Sequence, residues 1–157
     1  MAPPTPPSGS VVYRWDLDKT YLQVEFESLR ELMRIPFETA ADKETVPGVV
    51  PLLRGLREVA TTHDRDVRVY FLSASPPQIA KAITDKLRLD GITYDGITFK
   101  NQLQHIVRGK FRHLREHVGY KITEILKSRQ DMPADSCEVL FGDDWESDPI
   151  IYSLYAD

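Results

Sequence analysis

Cysteine is almost missing from this chain of 157 residues, where Cys137 stands alone. No intrachain disulfide can form and no thiolate cage can hold a metal, so a reducing cytoplasm is the expected location. That one cysteine opens an apolar run and is expected to sit in or beside the core. Long apolar runs are missing too, and none approaches the roughly 20 residues that a membrane-spanning helix needs. The N-terminus has neither the basic region nor the apolar stretch of a secretory signal. Its Pro-, Ser- and Gly-rich start reads as a flexible tail over residues 1–10, with one folded unit over 11–157. Basic excess is absent as well: a formal net charge of −4 argues against a dedicated nucleic-acid binder.

With 41% hydrophobic residues the chain can bury one core, and one domain is expected. Runs rich in β-branched and aromatic residues predict strands over 11–15, 67–72 and 137–141. Between them the spacing predicts a small helix or flap over 25–34, and a helix opened by Pro47-Gly48 and carrying Leu52, Leu53, Leu56 and Val59. A polar loop is expected over 61–66. A helix over 78–88 follows, with Ser75 before Pro76 as its N-cap. Residues 92–94, flanked by Asp-Gly pairs, suggest a short strand. An apolar stripe runs from Leu103 through Ile106, Val107, Phe111 and Leu114 to Val118; a separate helix is expected to begin at Lys121, and a last one at Asp148-Pro149. Alternating strands and helices predict an α/β fold: a Rossmann-like parallel sheet with helices on both faces.

Polar patches follow the predicted strands in a telling order: Asp16-Leu17-Asp18-Lys19-Thr20, then Ser73-Ala74-Ser75-Pro76, then Lys121, then Gly142-Asp143-Asp144 through Asp148. In an open α/β sheet the ligand crevice lies beyond the carboxyl ends of the strands, where such patches converge. Each alone reads as a turn, a helix cap or a surface lysine. Together, the ordered D-x-D-x-T, strand-Ser, Lys and G-D-x-x-x-x-D set resembles the haloacid dehalogenase (HAD) superfamily across nearly the whole chain. Receiver domains also use Asp, Ser or Thr, and Lys, but in a different order. The inserts after Asp18 and after Ser73 are too short for a large cap domain, so the site is expected to be open. HAD cores usually add another strand beyond the last motif, so a segment of a longer protein is expected.

The resemblance implies a phosphomonoester phosphatase. Asp16 is the expected nucleophile, forming an aspartyl phosphate, and Asp18 the acid and base. Thr20 is expected to tie the loop and contribute to substrate binding, while Ser73 and Lys121 hold the phosphoryl oxygens. Asp16, Asp18, Asp143 and Asp148 cannot gather around a phosphate without a counter-charge, which implies Mg²⁺. Asp16 and Asp143 are the direct ligands implied, with the Asp18 backbone carbonyl, and Asp148 supports metal-bound waters or orients Lys121. His113 and His117, four apart, lack a third ligand, so an exposed face is expected there.

Three phrases narrow the resemblance to the catalytic domain of the actin-patch-associated phosphatidate phosphatases and their bacterial relatives. They are Pro47-Gly48-Val49, the strand ending in Ser73-Ala74-Ser75-Pro76, and Gly142-Asp143 through Asp148-Pro149 to Tyr152. Lys19 departs from the family, which often has Asp there. The substrates implied are phosphatidate or another large phosphorylated molecule. A phosphoprotein or polynucleotide-end phosphatase, and a non-catalytic phosphate-binding module, are the alternatives. Residues 100–129 carry eight Lys and Arg against Glu116 and Glu124. They are expected to form either a solvated face or a rim that attracts an anionic membrane or a polyanionic substrate.

Overall fold

The computed structural model describes residues 9–23, 44–63, 65–73, 75, 77–99, 110–144 and 147–157. The helix or flap expected over 25–34 lies outside the described residues, as do Leu103, Ile106 and Val107. Four parallel strands form one sheet: β1 (Val11–Asp16), β2 (Val67–Ser73), β3 (Gly96–Phe99) and β4 (Cys137–Phe141), in the order β3-β2-β1-β4. Helices α1 (Val49–Thr62), α2 (Ala80–Leu89), α3 (Lys110–Gln130) and α4 (Asp148–Ala156) complete it. This is the expected α/β architecture, with no large cap among the described residues.

Alternate strand residues divide the core in two. Trp15, Val69 and Phe71 point toward α1 and α2, packing with Val49, Leu53, Ile83 and Leu87. Leu72 points the other way, against Ile125 of α3 and Ile151 of α4. The helices therefore lie on both faces. The chain steps from β1 to β2 to β3 in one direction, whereas β4 lies on the far side of β1. The direction of winding reverses between β1 and β4, which places a ligand crevice at their carboxyl ends.

Several local expectations change. The loop predicted over 61–66 is helical through Thr62, because the Thr61 and Thr62 hydroxyls donate back to the Arg57 and Glu58 carbonyls, each at 2.9 Å. The strand predicted at 92–94 is instead β3, four residues on. Asp95 reaches back to β2 there, its carboxylate accepting the Val69 N–H at 2.7 Å while its own N–H donates to the Val69 carbonyl, also at 2.7 Å. Gly96 is needed next, since a Cβ would lie 2.8 Å from the Tyr70 ring. Lys121 does not begin a helix; it lies inside the 21-residue α3. Gly119, with nothing within 4 Å of a would-be Cβ, costs α3 about 1 kcal/mol in propensity without breaking it. Cys137 is exposed, not in the core, because β4 is the outer strand among the described residues.

Below the crevice, Arg14 crosses the α3/α4 face almost fully buried. It donates to Glu138 Oε2 and to Ser128 Oγ, each at 2.5 Å, and lies over the Tyr70 ring. Glu138 also accepts from Tyr155 at 2.8 Å and pairs with Arg129 at 3.0 Å, so one ionic cluster joins β1, β4, α3 and α4. Above it, Gly142 lets α4 close on the sheet: a Cβ there would fall 2.5 Å from Asp148 Oδ2 and 2.7 Å from Tyr152 Cε2. Gly142→Ala is expected to cost about 1–3 kcal/mol and lower Tm by several degrees. Gly55→Ala, in open space on α1, is expected to be neutral or stabilising. Thermal melts of the two variants check this; equal shifts would contradict the packing account.

Candidate active site

Asp16 is the last residue of β1, and the turn after it is held from below. Leu17, Tyr21 and Leu22 are fully buried in the core on the α1/α2 side. Tyr21 stacks edge-on against Phe71 and donates to Asp90 at 2.7 Å. With these apolar residues pointing one way, Asp16 and Asp18 are presented on the other. Lys19 closes the turn in the left-handed region, at φ 62°. That conformation costs an ordinary side chain roughly 1–2 kcal/mol and suits Asp or Asn better than Lys.

Lys121 is at the centre of the site. Its ammonium donates to Asp16 Oδ1 at 2.6 Å and to Asp148 Oδ1 at 2.5 Å, and all three side chains are buried. Asp148 lies in the first turn of α4, so the start of that helix meets the lysine. Burial pulls the Lys121 ammonium down, but the two carboxylates overcome it and its pKa stands above the ordinary lysine value. Burial pushes the Asp16 carboxyl well above the usual carboxylate range; Lys121 opposes this, and Asp148 and Asp18 push the same way. Asp148 is likewise raised by burial against the pull of Lys121, while the Asp143 charge raises it and the Asp143 backbone N–H lowers it. One ammonium faces more carboxyl groups than it can neutralise.

Asp143, on the loop after β4, completes the cluster: one ligand atom each from Asp16, Asp143 and Asp148 lie within 4.8 Å of one another. Asp16 Oδ2 and Asp148 Oδ2 are buried with no hydrogen-bond partner. Buried carboxylate oxygens in that state are costly unless a cation meets them. Hard oxygen donors and surplus negative charge fit a divalent ion such as Mg²⁺. The Asp18 carboxylate is placed apart from this cluster, held by Ser73 Oγ at 2.9 Å and Ser75 Oγ at 2.8 Å.

Two expected hydrogen bonds differ. The Thr20 hydroxyl is buried without a partner, so it does not tie the loop; the buried Leu17 and Leu22 anchor it instead. Ser75 does not cap a helix. The α2 N-cap is Ile79, after the short 3-10 turn Pro77–Ile79, and makes no side-chain cap. Sequence reasoning also gave no role to Tyr152, one turn after Asp148. It is driven above the ordinary tyrosine range by burial and the carboxylates of Asp148, Asp16 and Asp143, and its hydroxyl donates to the Phe141 carbonyl at 3.0 Å. The four-residue spacing from Asp148 was its available signal.

Asp16, Asp18, Ser73, Lys121 and Asp148 are all at most 3% exposed, while Thr20 and Asp143 are half-buried. Three of the eight basic residues of 100–129 have described side chains. Lys121 belongs to the site, Arg129 is bound to Glu138 and to the carbonyls of Pro133 and Ala134, and Lys127 pairs with Glu124 at 2.7 Å. The other basic side chains of 100–129, with His113 and His117, lie outside the description. Among the described residues no helix is long and apolar enough to cross a membrane.

Among curated proteins no match is found. The family described as "Phosphatidate phosphatase APP1, catalytic domain" matches residues 15–157, a span that takes in Asp16, Asp18, Ser73, Lys121, Asp143 and Asp148. The geometry and this match agree, and the chain belongs to the phosphatidate phosphatase APP1 catalytic-domain family.

Proposed function

We propose that the protein is a Mg²⁺-dependent HAD-type phosphatase that hydrolyses a phosphomonoester through an aspartyl phosphate on Asp16. The buried Asp16-Lys121-Asp148 triad beside Asp143 carries this reading. Lys121 fixes Asp16 through Oδ1, while Oδ2 has no protein partner and keeps a lone pair for phosphorus or a cation. A cation held by Asp16, Asp143 and Asp148, with the Asp18 carbonyl, would neutralise the surplus charge and the phosphoryl oxygens.

In the first transfer Asp16 attacks phosphorus, the phosphorus to leaving-oxygen bond breaks, and Asp18 gives its proton to the departing alkoxide. In the second, Asp18 takes a proton from water as its oxygen attacks the phosphoenzyme, releasing phosphate and restoring the Asp16 carboxylate. Lys121 stays protonated throughout and holds negative charge in place. Membership of the phosphatidate phosphatase family supports phosphatidate or another large phosphorylated molecule as substrate; on this reading a cytoplasmic protein would meet a lipid substrate at a membrane surface.

Asp16→Asn is expected to lower turnover of an aryl phosphate by at least about a thousandfold, since an amide is a poor nucleophile. Asp18→Asn is expected to keep the first transfer with a good leaving group and to accumulate acid-stable phosphoprotein. Radiolabelled phosphate on the quenched protein reads both; turnover persisting in Asp16→Asn would end the proposal.

Mg²⁺ at about a hundred times its dissociation constant is expected to stabilise the fold by roughly 2.7 kcal/mol, several degrees in Tm. In Asp143→Asn that gain is expected to shrink, while the metal-free form melts at or above wild type because a repulsion is gone. Identical shifts in both proteins across a Mg²⁺ titration would remove Asp143 from the ligand set.

The substrate class is tested with phosphatidate vesicles, phosphopeptides, 5′-phosphorylated oligonucleotides and sugar phosphates. Phosphatidate is expected to give the highest kcat/KM. A preference for the peptide or oligonucleotide would favour the phosphoprotein or polynucleotide-end reading.

A further inference from the structure

Ser75 is 1% exposed, and its one hydroxyl proton points to Asp18 Oδ1 at 2.8 Å. Ser73 places its proton on the other oxygen, Asp18 Oδ2, at 2.9 Å, and its Oγ accepts the Ser75 N–H at 3.0 Å. A hydroxyl has a single proton to donate, so neither serine can serve a phosphoryl oxygen without letting go of Asp18. The two serines are not equivalent in place. Ser73 ends β2, one residue past the register partner of Asp16, at the strand end where a phosphoryl group attacked by Asp16 would lie. Ser75 is two residues further along, beyond the strand.

We propose that Ser75 is the positioning residue for Asp18: it keeps Oδ1 fixed while Ser73 turns its proton to the substrate, so that Oδ2 becomes the oxygen that exchanges protons. The inference rests on the phosphatase reading above and adds which oxygen acts and what aims it. When a phosphoryl oxygen accepts the Ser73 O–H as a hydrogen bond in place of Oδ2, with Ser73 keeping its proton, Oδ2 can carry the proton destined for the leaving alkoxide. The P–O bond breaks as the proton passes from Oδ2 to the alkoxide, giving an alcohol, the Asp18 carboxylate and the Asp16 acyl phosphate. Water then gives its proton to Oδ2 as its oxygen bonds to phosphorus and the bond from phosphorus to the Asp16 oxygen breaks, releasing phosphate and restoring the Asp16 carboxylate. Through both steps the Ser75 proton remains on Oδ1 and prevents the carboxyl from rotating out of line. Ser75 itself gives nothing to the phosphoryl group, so its loss is expected to affect proton transfer and not binding.

The experiment uses the full chain with Mg²⁺, in wild type, Ser73→Ala, Ser75→Ala, Ser75→Cys and Ser75→Thr. Substrates are an alkyl phosphate, whose leaving group needs a proton, and 2,4-dinitrophenyl phosphate, whose leaving group does not. In Ser75→Ala the alkyl phosphate kcat is expected to fall about 10–100-fold, the scale of a misaligned reacting group, with KM within about twofold of wild type. The first turnover of the dinitrophenyl ester is expected to keep its rate, followed by slow turnover and accumulated phosphoenzyme. Ser75→Thr, which retains the hydroxyl, is expected to recover most of the loss, and Ser75→Cys, a weaker donor, to fall between. Calorimetry with inorganic phosphate is expected to show weaker binding in Ser73→Ala and unchanged binding in Ser75→Ala.

Wild-type kcat in Ser75→Ala, an equal first-turnover loss for both esters, or weakened phosphate binding in that variant would each overturn the role of Ser75 while leaving the phosphatase reading in place. If Ser75→Ala does not fold, the leaving-group dependence of Ser75→Cys decides the matter on the same terms. A wild-type protein that hydrolyses neither ester would overturn the phosphatase reading and this inference together.

Discussion

The Lys121 ammonium, fixed between Asp16 and Asp148, is the interaction on which the rest of the structure depends. A buried charge with one partner removed costs about 3–5 kcal/mol, so the three groups need one another. They come from three elements: the end of β1, the middle of α3 and the first turn of α4. The ion triad can form only when α3 and α4 lie together on one face of the sheet at the β1/β4 crevice. Gly142 permits that approach from above, and the Arg14-Glu138 cluster secures it from below. Surplus negative charge is the remainder of this arrangement, and it makes the site receptive to a cation.

Much of this was legible because strand composition and motif order are one-dimensional signals. The sheet edges of the motifs, the opening of α1 after Gly48 in the left-handed region at φ 87°, and the Asp148-Pro149 start of α4 were readable from residue types alone. Other features depend on partners far away in sequence. Nothing local distinguishes Ser75 as a cap from Ser75 as a donor to Asp18, 57 residues earlier. The β3 strand depends on Asp95 completing the β2 ladder, a contact that an Asp-Gly pair hides behind its turn preference. The start expected at Lys121 fails for a similar reason: α3 runs on through Gly119, whose exposed position leaves the helix intact. The basic segment illustrates the limit of counting charges, since Lys121, Lys127 and Arg129 are each satisfied by a carboxylate that composition could not assign.

The site's polar groups fall into two compartments separated by the turn at Leu17. On one side Asp16, Asp143 and Asp148 gather around Lys121; on the other Asp18 accepts the hydroxyls of Ser73 and Ser75. Hydroxyl donors hold Asp18 without adding net charge, whereas an ammonium holds Asp16. Two carboxylates two residues apart on one short loop thereby receive different partners.

The position of β4 beside β1 has a consequence for how the molecule is made. The hydroxyls of Ser10 and Ser136, at the entrances of these two strands, meet at 2.6 Å across 126 residues of sequence, and the Lys121-Asp16 contact spans 105. The pairing of β1 with β2 and of β2 with β3 can form early, but the central strand keeps one edge open until β4 has been synthesised and threaded into place. Chains with such distant contacts fold slowly, because loop closure precedes any reward from the pairing. During that interval the first strand has an apolar edge open to other chains, and the acidic loop at its end has no lysine to hold it. The open edge of β1 and the acidic loop at its end are therefore completed by the same C-terminal stretch of the chain, one by pairing with β4 and the other by Lys121 and Asp148.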